Sequence, residues 1–193
     1  MDTLPVLFAD AEARLVAAVA DRHAPMHTPV VGTRDGELRI MVLRAVRAGI
    51  SALRFHTDSR APKVATVREH GRATVLAYDP AARVQLRLSG VARIQADDAL
   101  ADAAWDSAAT FSQRCYLAEA GPGTPRESAG SGLPEAVVAR RPTETETREG
   151  RRNFAVLLIE PDRLDWLQLD ATGGRRAQFA RHETEWRGTW VVP

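Results

Sequence analysis

The sequence predicts a mainly β chain with α additions, a β-barrel flanked by short helices. Three observations predict it. Six or more segments carry the period-2 alternation or β-branched composition of strands, at hairpin spacing. Turn signals such as Asp35-Gly36, Asp79-Pro80 and Gly173-Gly174 punctuate them. No alternating strand–helix series appears, which argues against a doubly wound parallel sheet.

Taken in order, residues 4–22 read as a helix. Pro5 suits the first turn, and Leu15, Val16 and Val19 recur at helical spacing. Such a helix covers an end or side of the barrel. Residues 28–34 and 37–46 form a hairpin about Asp35-Gly36, and residues 51–57 a third strand. Pro62 near the start and Gly71 just past the end bracket a helix over residues 62–70. Residues 72–78 and 83–95 are two strands around Asp79-Pro80. In the second, Val84, Leu86 and Leu88 alternate with Gln85, Arg87 and Ser89, as in a half-buried strand.

Residues 97–120 are Ala-rich and helical, with a break near Ala109-Thr110. Residues 121–152 change to Gly, Pro, Ser, Thr and charge, a long loop with one short helix at 134–140. Its length and polarity suit a lid. Residues 154–160, 163–170, 175–181 and 185–192 read as closing strands, with Gly173-Gly174 and Arg187-Gly188 supplying turns.

Composition narrows the function. The 193 residues are 45% hydrophobic, enough for one core, and carry a formal net charge of +1. That balance offers no global field for nucleic acid or an anionic membrane, and no apolar run reaches the roughly 18–20 residues of a span. The N-terminus lacks the basic region and apolar stretch of a secretory signal. Cys115 is the single cysteine, which fits a reducing cytoplasm. The five histidines, 23, 27, 56, 70 and 182, lack metal-ligand spacing, and no GxSxG or P-loop is present. Of 26 Lys and Arg residues, Lys63 alone is lysine. Lysine is a compact point charge and arginine a planar fork, so a lone lysine draws notice.

The segment 39–93 runs RIMVLRAVRAG, then LRFHTDSRAPK, then RVQLRLSGVARI. An Arg-led strand ending in a basic residue, an aromatic-Thr strand end, a basic turn closing on Lys and a Gln-bearing strand ending in Gly follow in that order. With LDWLQL, GGRRAQF and the terminal TWVVP, the chain resembles the pyridoxamine 5′-phosphate oxidase family over roughly residues 28–193. The resemblance implies an FMN-binding split β-barrel, one domain over residues 1–193. It has an N-terminal helix (1–22), a long loop (121–152) and C-terminal dimerisation strands (154–193). It implies a homodimer with flavin at the subunit interface, a small-molecule substrate, and neither nucleic acid nor membrane as partner. It places Arg39, Thr57 and Lys63, next to Pro62 at a helix start, on the cofactor phosphate. Such a group carries about −1.5 to −2 charges and suits convergent cations and helix N–H groups. It lays the backbone of Met41, Val42 and Leu43 along the flavin, with Arg44, His56 and Gln85 beside it. Trp166 and Arg176 would reach the flavin from the partner.

Taken singly, each residue has an ordinary reading. Arg39 alternates with Ile40 and Val42 and could face solvent; Gln85 could be an outward position; Trp166 could fill core. The chain also departs from the family's vitamin-phosphate site. Thr110, Arg114 and Ala118 stand for Tyr, Arg and Ser, leaving Arg114, with Arg44, as the substrate-binding candidates. The Arg-Leu-His motif is replaced by Gly174-Arg175-Arg176-Ala177-Gln178, without a histidine. The reading is an FMN-dependent oxidoreductase of unknown substrate, with no catalytic acid or base assigned. A non-catalytic flavin store or sensor is the alternative, and haem or deazaflavin are other ligands open to the barrel.

Overall fold

The computed structural model describes residues 3–171 and 173–193; residues 1 and 2 of the expected N-terminal helical region lie outside them. Helix α1 (Leu4–Ala20) opens on Pro5 and buries Leu7, Ala11, Leu15 and Ala18 on one stripe, the face it lays on the barrel. Strands β1 (Val30–Thr33) and β2 (Leu38–Ile40) form the hairpin expected at Asp35-Gly36, where Gly36 takes φ +85°. Next come β3 (Leu43–Arg47) and β4 (Ala52–Asp58), then helix α2 (Pro62–His70). Gly71 ends α2 at φ +61°, a left-handed conformation that glycine adopts without strain. Strands β5 (Arg72–Asp79) and β6 (Val84–Gln95) follow as a hairpin.

A helical excursion then leaves the sheet. It holds α3 (Ala99–Asp106), α4 (Thr110–Gln113), a 3-10 turn (Arg114–Leu117), α5 (Glu135–Val138), α6 (Glu144–Thr147) and a second 3-10 segment (Arg148–Asn153). Strands β7 (Phe154–Gln168), β8 (Arg175–His182) and β9 (Glu185–Val191) close the chain. All pairings are antiparallel, in the order β2-β1-β5-β6-β7-β4-β3, with β8 and β9 added beside the second half of β7. The result is mainly β with flanking helices, a curled split barrel.

Four expectations need correction. The strand expected over residues 37–46 is two strands. Its alternation runs unbroken, but the chain leaves the β1 edge at Met41-Val42 and rejoins the sheet at the opposite edge, beside β4. The strands expected at 154–160 and 163–170 are one. Pro161 sits at a bulge opposite Gly90, and a Cβ on Gly90 would collide with the Glu160 carbonyl, so only glycine lets the strand run through. Arg187-Gly188 is not a turn. Gly188 lies within β9, where a Cβ would stand 2.7 Å from the Phe179 ring, and the turn falls instead at Glu183, φ +54°. The loop 121–152 also holds a helix that was not expected, α6, started by a reciprocal Thr143–Glu146 capping box.

Two apolar clusters result. The larger fills the barrel with Leu15, Leu53, Phe55, Leu86, Leu88, Leu164 and Trp166 among others. The smaller lies on the other face of β4 and β7, where Ala52, Phe154, Val156 and Leu158 meet Ala101, Ala104 and Trp105 of α3. The candidate site lies along β4, between them.

Candidate functional site

Strand alternation decides which side chains reach the site. On β2, Leu38 and Ile40 point outward, and Arg39 lies opposite buried Val31, on the inner side. Arg39 is therefore no solvent-facing residue. Its Nη1 donates to Thr33 Oγ1 at 2.7 Å and more weakly to the Val31 carbonyl. Beyond it the backbone of Met41 and Val42 leaves the sheet, and the Met41 N–H is held by the Pro29 carbonyl at 3.0 Å. On β4, Thr57 is buried, and its Oγ1 accepts from Lys63 Nζ at 3.3 Å.

Lys63 lies in the first turn of α2. That helix end has no side-chain cap and no acid in its first turn, so its N–H groups and dipole face the site unneutralised. Burial and the nearby charge of Arg39 hold the Lys63 ammonium below its ordinary range, against a smaller pull from Asp58. Asp58 is engaged elsewhere: Arg60 takes its Oδ1 at 3.0 Å and its Oδ2 at 2.8 Å. Among the described residues neither Arg39 nor Lys63 makes a salt bridge. Two cations thus line one site without an ion-pair partner there.

These residues line one open cavity of about 430 Å³, shared by Arg39, Ile40, Met41, Val42, Arg44, His56, Thr57, Asp58, Lys63, Cys115, Tyr116 and Pro122. Two guanidinium or ammonium groups, a hydroxyl and a free helix end suit a phosphate, and the departing backbone beside them offers an edge to a flat ring. The donor set fits FMN, with Arg39, Thr57 and Lys63 at the phosphate. Burial, reinforced by Arg44 and Arg54, pushes the His56 imidazole down to about 3, so it is neutral at ordinary pH.

Not every expected residue joins this cluster. Trp166 lies apart from it: it is 2% exposed, packs in the barrel core and donates its indole N–H to Asp10 of α1 at 3.1 Å. Arg114 is engaged in the excursion. Its Nη1 donates to the carbonyls of Val137, Val138 and Arg140, and its guanidinium lies 4.3 Å over the Phe111 ring. Its fork holds the excursion together. Gln85 stands on the outer face of β6 between Tyr78 and Leu167, away from the cavity. Arg176 is on the same outer face and grips Asp165 at 2.7 Å.

That outer face carries a concavity of about 690 Å³, lined by Thr74, Arg87, Asp165, Gln178, Arg187 and neighbours. Burial alone would raise the Asp165 carboxyl, but Arg176, Gln178 and Arg87 outweigh it and hold it low. The acid's lone pairs are already used by these three donors, and the groove shows no cluster like that around Lys63. Sequence reading missed Tyr116, Cys115 and Pro122 of the excursion as lining residues. No local pattern marks them, because only the return of the excursion over β4 brings them there. Of the long segment expected as a lid, Pro122 is the part that lines the cavity. Among the described residues no group of three or more His, Cys, Asp or Glu is placed to hold a metal ion, and no helix is long and apolar enough to cross a membrane.

Residues 18–96 match the family model of the pyridoxamine 5′-phosphate oxidase FMN-binding domain. No curated protein sequence matches the chain. Among solved structures, a pyridoxamine 5′-phosphate oxidase-related, FMN-binding protein of Nostoc punctiforme is 24% identical, with a TM-score of 0.75 and full coverage of both chains. PhzG of Burkholderia lata, solved with tetrahydrophenazine-1-carboxylic acid, is 16% identical with a TM-score of 0.70, covering 96% of this chain and 91% of its own. A general stress protein 26-related protein of Clostridium acetobutylicum is 10% identical with a TM-score of 0.53, covering 96% and 94%. At these identities the likeness is one of fold.

Proposed function

We propose that this chain, a divergent relative of the pyridoxamine 5′-phosphate oxidase-like split barrels, binds FMN and serves as an FMN-dependent oxidoreductase acting on a small molecule. The observation that carries the reading is the pair Arg39 and Lys63, neither ion-paired, beside Thr57 and the uncapped start of α2, on the wall where the backbone of residues 41–42 breaks from the sheet. Bound there, FMN supplies hydride chemistry, and the protein supplies position and electrostatics. Arg39 and Lys63 neutralise the phosphate, Thr57 orients it, and Met41, Val42 and Leu43 set the ring plane. His56, neutral, adds a hydrogen-bonding edge without adding charge.

The functional unit is a homodimer. The support is the outer face of the sheet, where Leu38 and Ile40 are 70% and 71% exposed and Leu76 and Tyr78 continue the apolar row. Ile40 belongs both to this row and to the cavity rim. A second copy seated on the face would cover the open side of the site, exclude water there, and bring its own Gln85 and Arg176 toward it.

The test is a binding titration with FMN and with riboflavin, which lacks the phosphate. The wild type is expected to prefer FMN strongly. Arg39→Ala and Lys63→Ala each remove a charge-assisted contact of about 1.5–3 kcal/mol, about ten- to a hundredfold in FMN affinity, and leave riboflavin unchanged. Equal losses for both ligands would place the phosphate elsewhere.

A further inference from the structure

The two cations of the cavity sit on separate elements. Arg39 is on β2, a strand of three residues at the edge of the sheet, and the chain leaves the sheet just after it. Lys63 is in the first turn of α2. Burial, and after it the Arg39 charge, depresses the Lys63 ammonium, so the pair repels before any anion is bound. A short edge strand that carries one of two like charges needs a tie.

One side chain supplies it. Asp35, in the β1–β2 turn, accepts from Thr33 Oγ1 at 2.6 Å on one carboxylate oxygen and from Thr66 Oγ1 of α2 at 2.8 Å on the other. Thr33 is buried, and its Oγ1 accepts in turn from Arg39 Nη1 at 2.7 Å. A hydroxyl has one proton and a carboxylate only accepts, so Asp35 takes the Thr33 proton and leaves the hydroxyl's lone pairs to Arg39. That anchors Nη1. Among the described residues the Arg39 Nε and Nη2 make no hydrogen bond, and this pair is the guanidinium edge that grips a phosphate side-on. Thr66 follows Lys63 by three residues, on the same side of α2, and both are half-buried. Hydrogen bonds from Thr33 and Thr66 come first in holding the Asp35 carboxyl down to about 2, with the Arg39 charge behind them, so it is ionised at ordinary pH. A turn aspartate needs only a nearby backbone N–H, here that of Glu37 at 3.2 Å. The bond from α2, 31 residues along the chain, serves something besides the turn.

We infer that Asp35 is a positioning residue for the cofactor phosphate: through Thr33 it aims Arg39, and through Thr66 it fixes that guanidinium relative to Lys63. The inference rests on the FMN reading and names what makes the site selective for the phosphate.

Titration with FMN and with riboflavin, followed by flavin fluorescence, tests it. The proteins are wild type, Asp35→Ala, Thr66→Val, Thr66→Ser, Arg39→Ala and the Asp35→Ala/Arg39→Ala double variant. Thr66→Val removes one hydroxyl on α2 and leaves the turn as it is, so it decides the matter if Asp35→Ala does not fold. Asp35→Ala and Thr66→Val should each weaken FMN about three- to tenfold and leave riboflavin unchanged, as for one lost hydrogen bond that acts on the phosphate alone. Thr66→Ser, which keeps the hydroxyl, should bind like the wild type. With Arg39 gone there is nothing to aim, so the double variant should bind FMN within about twofold of Arg39→Ala. Wild-type preference for FMN in both Asp35→Ala and Thr66→Val would overturn the inference. So would equal losses of FMN and riboflavin, which would mean that these bonds only brace the fold, or losses that add in full to that of Arg39→Ala. A wild type that does not prefer FMN over riboflavin would defeat the phosphate reading itself, and this inference with it.

Discussion

At the scale of single residues, His56 links the site to stability. Its folded-state value of about 3 lies far below the 6.5 of an unfolded histidine. Between those values the unfolded chain binds a proton that the folded chain refuses, so stability falls as pH falls through that window. The slope is at most about 1.4 kcal/mol per pH unit. Down to about pH 5 most carboxylates are still ionised and add little. The ligand-free wild type should therefore lose urea resistance between about pH 7 and 5, and His56→Gln should lose measurably less. Parallel profiles for the two proteins would show that the imidazole is not held neutral. Residues also mark what the sequence could and could not say. Arg39, Thr57 and Lys63 were legible because their order along the chain survives as a pattern. Tyr116 was not, since only the return of the excursion over β4 brings it to the cavity. Trp166 is set by register: its inward place on β7, opposite Leu86, packs it in the core.

At the scale of elements, the turn after β4 does two jobs. It starts α2 beside the phosphate donors and, through Arg60, ties the helical excursion to the barrel. Arg60 Nη1 donates to the carbonyls of Ala118 and Glu119 at 3.0 and 3.3 Å while Nε and Nη2 hold Asp58. Gly121 packs against the Arg60 backbone and Cβ, which leaves Pro122 on the cavity wall. Arg60→Ala should release this wall. Limited proteolysis should cut within residues 117–133 faster, and FMN should dissociate faster. Global stability should fall by only about 1–2 kcal/mol, as for one partly exposed ion pair with two further hydrogen bonds. Unchanged cleavage with slowed or equal flavin release would contradict that role. Helix α2 was readable to the residue because Pro62 and Gly71 fix both ends by local sterics. The break between β2 and β3 was not, because alternation continues across it and the choice of sheet edge is made by β4. The capping box that starts α6 was readable, as Thr143 followed by Glu146, and was overlooked within a segment dominated by loop composition.

At the scale of the whole molecule, the curled sheet separates two environments. Its inner face is filled, with α1 as a plug. Its outer face exposes Leu38, Ile40, Leu76 and Tyr78, and passes into a groove of arginines organised about Asp165. Exposed apolar rows of that kind on a sheet mark contact surfaces. Because Ile40 joins the row to the cavity rim, closing the face and completing the site are one event. The account's central claim is that this chain holds FMN in the Arg39–Lys63 cavity as part of a dimer. The most direct measurement is size-exclusion chromatography with light scattering after loading with FMN and removing the excess, recorded at the protein and flavin absorption bands together. The account predicts flavin co-eluting with a dimer at one per chain. Flavin-free protein at concentrations well above micromolar, or flavin carried by a monomer, would contradict it.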